Sequence, residues 1–422
     1  MFIRRSKHER KGGKQYFSER GVALLIVSVS LSIIMLLTAE FGTNTTIDYF
    51  TATNARDNVR AEFLARSGQN LGKLIIRVQT DLVDKYRKQM NLGDLQLADY
   101  TGLFMSAFGG SKDEMQSLAS GFGLGGAKDI KGLGLEAGEF NVTITTDDGK
   151  INLNCARGGT RTRQTLQTKL EALFYFDAFN PVFESKTADG WQRDRARQVA
   201  ALIDYIDEDQ NKYDAPGASE EDDYQSLKDR YSPKNNYIDS VGEIRLIRGV
   251  DDRFWTLFGG QFTAYGECRE NVAAIQDPKL VAALIFLSAK NAEDPVLRDM
   301  NKLWALARRV VEARGMGVFF DDLNAFRDFV KNPDGALADM MESRGLNSDP
   351  ATAAMEGVEL DNAKLAQIAY AGPRRVYRIE SDAKIGVVTK KITAVWDVNV
   401  VPQNSRDPQA NPKGAYVFWR EE

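Results

Sequence analysis

Nine carboxylates fall between Asp204 and Tyr224: Asp204, Asp207, Glu208, Asp209, Asp214, Glu220, Glu221, Asp222 and Asp223. So many like charges repel one another unless water or a cation separates them. Ca²⁺ takes six to eight hard oxygens from carboxylates, amides and backbone carbonyls. Asp207, Asp209 and Asn211 present oxygens at every second position, as calcium loops often do. Asp214, Glu220, Glu221, Asp222 and Asp223 offer further oxygens. The stretch is not an EF-hand, because its glycine and closing glutamate are misplaced. It follows a helical pattern and contains Pro216-Gly217, so it reads as a loop. On spacing alone, a solvated acidic loop and a calcium loop stand level.

Other chemistry is sparse. The only histidine is His8, inside a basic head. If the head is removed, no histidine remains, which excludes Ser-His-Asp catalysis and His-ligated metals. There is no P-loop, nucleophile elbow or zinc motif, so the chain does not read as an enzyme. Cys155 and Cys268 are too few for a cysteine zinc site. They are either one disulfide in an oxidising compartment or two buried thiols. Residues 1–21 hold seven Lys/Arg and two Glu, so the head is +5 and the rest of this −4 chain is −9. Asp239–Gly249 resembles half of a helix-hairpin-helix, but that charge would repel DNA, and no nucleic-acid partner is expected.

The elements that must carry the acidic loop begin at the N-terminus. Val22 to Ala39 is a run of 18 residues without formal charge. As a helix it is about 27 Å long, enough to cross a hydrocarbon core approximately. Basic residues precede it, so residues 1–20 stay in the cytoplasm and the body lies outside. Leu64, Gly68, Leu71, Ile75, Val78 and Leu82 step by four and three, a one-sided helical stripe ending near Met90. A break near Gly42-Thr43 is compatible with this pattern. Leu64, Leu71, Ile75, Val78 and Leu82 are the expected helix-packing surface.

Residues 93–138 are Gly-rich and read as a loop with short helices near 99–107 and 112–120. Phe140, Val142 and Ile144 alternate, and Asp148-Gly149 followed by Ile151 and Leu153 predicts a hairpin. Further strands are expected at 376–380, 385–401 and 416–420, with Lys390-Lys391 on an edge or half-exposed strand. Helical spacing marks 161–176, 191–205, 240–248, 279–288, 296–314 and 321–331. Short strand ends precede both cysteines. If those strands are neighbours, a disulfide would close a loop of roughly 110 residues. The expected domains are a leader (1–21), a transmembrane and stem helix (22–92), a Gly-rich loop with first strands (93–155), an α-helical insertion (156–267), a further helical region (268–372) and C-terminal strands (373–422).

The junction Arg20, Gly21, Val22 resembles a prepilin-peptidase site, with cleavage between Gly21 and Val22. Most pilins have Glu at the fifth mature position, where this chain has Ile26; lack of that Glu is a hallmark of K-type minor pseudopilins. A tip subunit has no subunit above it whose amine a membrane-buried carboxylate would need to meet. Leu202–Asp209, Gly217-Ala218, Lys234-Asn235 and Asp239, Ser240, Glu243 with Gly249 are similar, in order, to that family in type II secretion systems. The similarity covers the chain well to about residue 275 and loosely in the C-terminal strands. It implies an α+β fold: a type IV pilin-like long N-terminal helix on an antiparallel sheet, with a large α-helical insertion domain. It also implies Ca²⁺ in the acidic loop, with candidate ligands Asp207, Asp209, Glu220, Glu221, Asp222 and Asp223. A one-residue shift after Gly217 leaves Glu220 and Glu221 as alternatives. The implied role is at the tip of the pseudopilus, supporting protein export across the outer membrane. The implied partners are I- and J-type minor pseudopilins, the prepilin peptidase, the inner-membrane platform, and exoproteins or the secretin. The implied place is the bacterial inner membrane, single-pass, with the body in the periplasm. A minor pilin of a type IV pilus or DNA-uptake system is the alternative.

Overall fold

A computed structural model describes residues 19–90, 92–102, 138–188, 190–343, 355–400 and 414–422. The expected helix at 112–120 and most of the leader lie outside these residues. Helix α1 runs unbroken over Glu19–Val78, 60 residues. It crosses Gly42 and Thr43 without the break considered above. The hydroxyls of Ser28, Ser32, Thr38, Thr43 and Thr46 donate to carbonyls one turn back, so these groups are satisfied within the helix. Among the described residues, this helix alone is long and apolar enough to cross a membrane. It fits a single-pass anchor carrying a soluble body.

The second half of α1 packs on the chain's own sheet. Ala61, Leu64 and Ala65 meet Ala383, Ile385 and Ile392, and Leu71, Ile75 and Ile76 meet Val142, Ile144, Tyr377, Ile379 and Trp396. Gly68 and Gly72 let the backbones approach. A Cβ at Gly68 would sit 2.1 Å from Ser381 Oγ, and one at Gly72 would sit 2.7 Å from Ile379 Cγ2. The stripe expected as a helix–helix surface is therefore covered from within. Leu82 leaves this covered stripe and is 55% exposed. A π-helical turn at Gln79–Val83 inserts an extra residue and rotates the apolar face. Gln79 turns inward instead, donating to Asp84 Oδ1 at 2.7 Å and accepting from Leu97 N at 2.8 Å.

The main sheet has the order β1 (Glu139–Thr146), β6 (Val376–Ile385), β7 (Val388–Asp397), β8 (Ala415–Glu421), all antiparallel. β7 is internal, not an edge. Its lysines mark a half-exposed face, where Lys391 reaches Glu380 on β6 at 2.7 Å. The hairpin expected at Asp148-Gly149 does not form. Asp147 pairs with Lys150 (2.7 Å) and Arg378 (2.8 Å), and Asp148 Oδ2 accepts from the Arg375 and Val376 amides at the start of β6. These contacts turn the chain out of the sheet. β2 (Ile151–Asn152) then pairs in parallel with β3 (Phe262–Thr263), and β4 (Glu270–Asn271) pairs in parallel with β5 (Ala369–Tyr370).

The segment between β1 and β6 is thus a helical domain inserted between neighbouring strands. Its helices include Thr160–Phe174, Arg195–Asp204, Pro278–Ser288, Met300–Gly315, Leu323–Lys331 and Asn362–Ile368. Five of them start at an aspartate whose carboxylate accepts a first-turn amide: Asp194, Asp277, Asp299, Asp322 and Asp361. The expected helix at 240–248 is a shorter 3₁₀ segment, Val241–Leu246, closed by a Ser240/Glu243 capping box. One hydrophobic core extends from Ile151 to Ala369. The boundary expected at 267/268 divides no core, and the residues from Ile151 to Cys155 belong with the helices, not with the sheet.

Candidate metal centre

The helix Arg195–Asp204 buries Val199 to Ile203 in the core, which fixes where the acidic segment emerges. One extra turn follows, in which the Asp207 amide donates to the Ile203 carbonyl. Asp207 is thereby held at 1% exposure. Asp204 Oδ1 accepts from Tyr213 N at 2.9 Å and ties down the far side of the loop. The chain reverses at Gly217, whose φ of 94° suits glycine. Bonds from Lys212 N to Ala218 O and from Glu220 N to Gln210 O then zip the return.

This path brings Glu220, 2% exposed, back beside Asp207 and Asp209. One oxygen from each of the three lies within 4.8 Å of the others. Asp207 Oδ1 and both Glu220 oxygens are buried without a hydrogen-bond donor, as is Asn235 Oδ1. The Asn235 amide borders Glu220, but it donates to the Asp209 carbonyl at 2.6 Å. Asn235 has a φ of 46°. It is pinned there by its own amide on Tyr205 O and by Arg157 on its carbonyl.

The electrostatics reflect this crowding. Burial, with Asp207, Asp214 and Asp209 nearby, pushes the Asp204 carboxyl up to about 8. Burial, then Asp204 and Asp207, pushes Glu220 up to about 8. Asp207 rises to about 6, again chiefly by burial, with Arg163 opposing. Orphaned buried oxygens of carboxylate and amide type are the donor set of a hard divalent cation. Asp207, Asp209, Glu220 and Asn235 could hold one.

Of the sequence-derived candidates, Asp207, Asp209 and Glu220 converge, which selects Glu220 over Glu221 at the shifted step. The others do not join them. Asn211, Asp214 and Asp222 face solvent. Glu221 accepts from Ser232 Oγ at 2.9 Å, and Asp223 pairs with Lys212 at 3.0 Å. Asn235 and Arg163 are the members that spacing alone missed; the Lys234-Asn235 pair was the available signal. Cys155 and Cys268 form a disulfide; Cys155 lies in the 3₁₀ turn after β2, and Cys268 lies between β3 and β4. Gly21 and Val22 lie in the first turns of α1.

Residues 149–258 match the family model described as type II secretion system (T2SS), protein K. No curated protein matches the chain. A chain of the GspK-GspI-GspJ complex from the type 2 secretion system of enterotoxigenic Escherichia coli is similar at 14% identity, with a TM-score of 0.43, covering 80% of this chain and 99% of that chain. A score of that size carries no argument, and the pilin-like fold rests on the topology above. The matched segment runs from the turn after β1 to the helix before β3 and holds every residue of the candidate metal centre. Over that domain, residues 149–258, the chain is similar to protein K of the type II secretion system.

Proposed function

We propose that the protein initiates or caps the tip of the type II secretion pseudopilus, together with I- and J-type minor pseudopilins. It has no enzymatic role in this reading; its body is a shaped surface that supports export across the outer membrane. The observation that carries the proposal is where the helical domain stands. The sheet covers α1 from Ala61 to Ile76. Beyond it, Arg87 lies over the Phe319 ring at 4.2 Å and Lys88 meets Asp321 at 2.9 Å. The insertion therefore sits over the end of the stem remote from the apolar run, where a following subunit would have to stack. Ile26 supports the same placement, since it offers no carboxylate to a subunit above. In this reading the peptidase cleaves after Gly21, the apolar run anchors in the inner membrane, and the body stands in the periplasm. Exposed Val59, Phe63 and Leu74, on α1 away from its own sheet, are then available to partner stems.

Gold-labelling the body in elongated pseudopili tests the placement. Label at one end of each filament is expected; label spaced along the sides would rule the tip out.

The metal part of the proposal is that Asp207, Asp209, Glu220 and Asn235 bind calcium. Calcium would supply the positive charge that lets the acidic loop hold one shape. The charge count suits micromolar or weaker affinity. Adding calcium to the chelated full chain in detergent should raise its melting midpoint by several degrees through mass action. D207N/E220Q should lose that gain, and an unchanged wild-type midpoint would remove calcium from the account.

A further inference from the structure

The candidate cation site already holds a cation of its own. Arg163, on the helix Thr160–Phe174, places Nη1 3.0 Å from Asp207 Oδ2 and 3.3 Å from Asp209 Oδ2. It thus bridges two of the three converging carboxylates. Its Nε donates to Ala156 O at 3.1 Å, so the guanidinium is held from behind. Ala156 follows the disulfide-bonded Cys155, in a segment also held by Asn154, whose amide donates to Ile238 O (3.0 Å) and Ala264 O (2.9 Å). The guanidinium is therefore a rigid fixture and not a loose surface side chain.

It serves only part of the site. It uses Asp207 Oδ2 and leaves Asp207 Oδ1 and both Glu220 oxygens without donors. A divalent ion drawn in by those free oxygens comes to rest a few ångströms from a fixed positive charge.

We infer that Arg163 is a built-in competitor for the metal: it clamps Asp207 and Asp209 in the empty site and sets the calcium affinity lower than the carboxylates alone would give. This rests on the calcium reading above and assigns regulation to the same site. Its consequence is a loop that stays folded without metal and fills only where calcium is plentiful. Calcium entry weakens the Arg163 bridge, while the bond to Ala156 O gives the guanidinium a place to remain. Arg157, whose Nη2 pairs with Glu208 outside the converging set, keeps its partner in both states.

The test is calcium titration calorimetry on the full chain in detergent, comparing wild type, R163Q and R163K, each purified in calcium and then chelated. R163Q should bind calcium about tenfold more tightly, the effect of removing one like charge roughly 5 Å from a divalent ion even at the dielectric of water. Its metal-free melting midpoint should fall, and its gain on adding calcium should exceed that of wild type. R163K retains the charge and should stay within about threefold of wild type. A merely structural arginine would move affinity the other way. Unchanged or weaker binding by R163Q, or an equal gain in R163K, overturns the inference while leaving the calcium site standing. No binding by any of the three overturns the calcium reading and this inference together.

Discussion

Replacing Cys155 and Cys268 together by alanine should lower the unfolding free energy by about 3–5 kcal/mol. The cysteines are 113 residues apart in sequence. In the chain-entropy account, a cross-link over so long a loop removes about 4–5 kcal/mol of freedom from the unfolded chain. The native side should tolerate the change. Cys155 is buried in the common core, and β2 and β3, which precede the two cysteines, are also paired through their backbones. The loss should therefore appear as a lower urea midpoint with a smaller change in slope, because the folded contacts survive while the unfolded chain expands. Fluorescence-monitored urea unfolding of the full chain in detergent measures both. A loss below about 1 kcal/mol would show that the remaining contacts already close the loop, leaving the bridge idle.

The disulfide also shows where sequence reasoning holds and where it stops. Two similar strand ends ahead of Cys155 and Cys268 were legible, and so was the possibility of a bridge. That these strands are neighbours was not, because β2 and β3 meet across the whole of residues 153–261 with only two residues paired in each. The long helices were legible for a local reason: Thr160–Phe174 and Pro278–Ser288 repeat their apolar residues at helical spacing. Asp148-Gly149 misled for the opposite reason. Its turn chemistry is local, but the partners that decide the path, Arg378 and the Val376 amide, arrive some 230 positions later. Leu82 leaves the stripe covered by the sheet because a single π turn shifts a helical face, and nothing in residues 79–83 announces it. In the acidic loop, composition identified the site but could not rank its carboxylates. Burial of Asp207 and Glu220 selects them, and burial depends on the return of the chain at Gly217 and on Asn235, contributed from beyond the loop.

The second large effect is expected behind the disulfide. Lys169 and Glu270 are 2% and 1% exposed, and Nζ lies 2.6 Å from Oε1. The same ammonium donates to Cys268 O at 2.9 Å. Leu280, Leu284 and Leu287 border the pair, and Glu270 Oε2 has no donor. Burial pushes the Glu270 carboxyl above its ordinary range, with Lys169 opposing. K169M removes the opposition and leaves a buried carboxylate alone, which should cost about 3–5 kcal/mol at neutral pH. The carboxyl in the variant will titrate higher still. A raised folded pKa means that the folded state holds its proton where the unfolded state has released it. Stability of K169M should therefore fall as pH rises above the ordinary glutamate range, so its deficit is smaller at pH 5 than at pH 8. The double variant K169M/E270L replaces the pair by apolar bulk and should return to within about 2 kcal/mol of wild type, since such pairs are costly to bury and costlier to break. Denaturant midpoints of the three proteins at pH 5 and pH 8 decide the matter. If the double variant is as unstable as K169M, the Cys268 carbonyl and not the charge is what Lys169 serves, and the ion pair would be a secondary feature of the strap that holds the bridge in place.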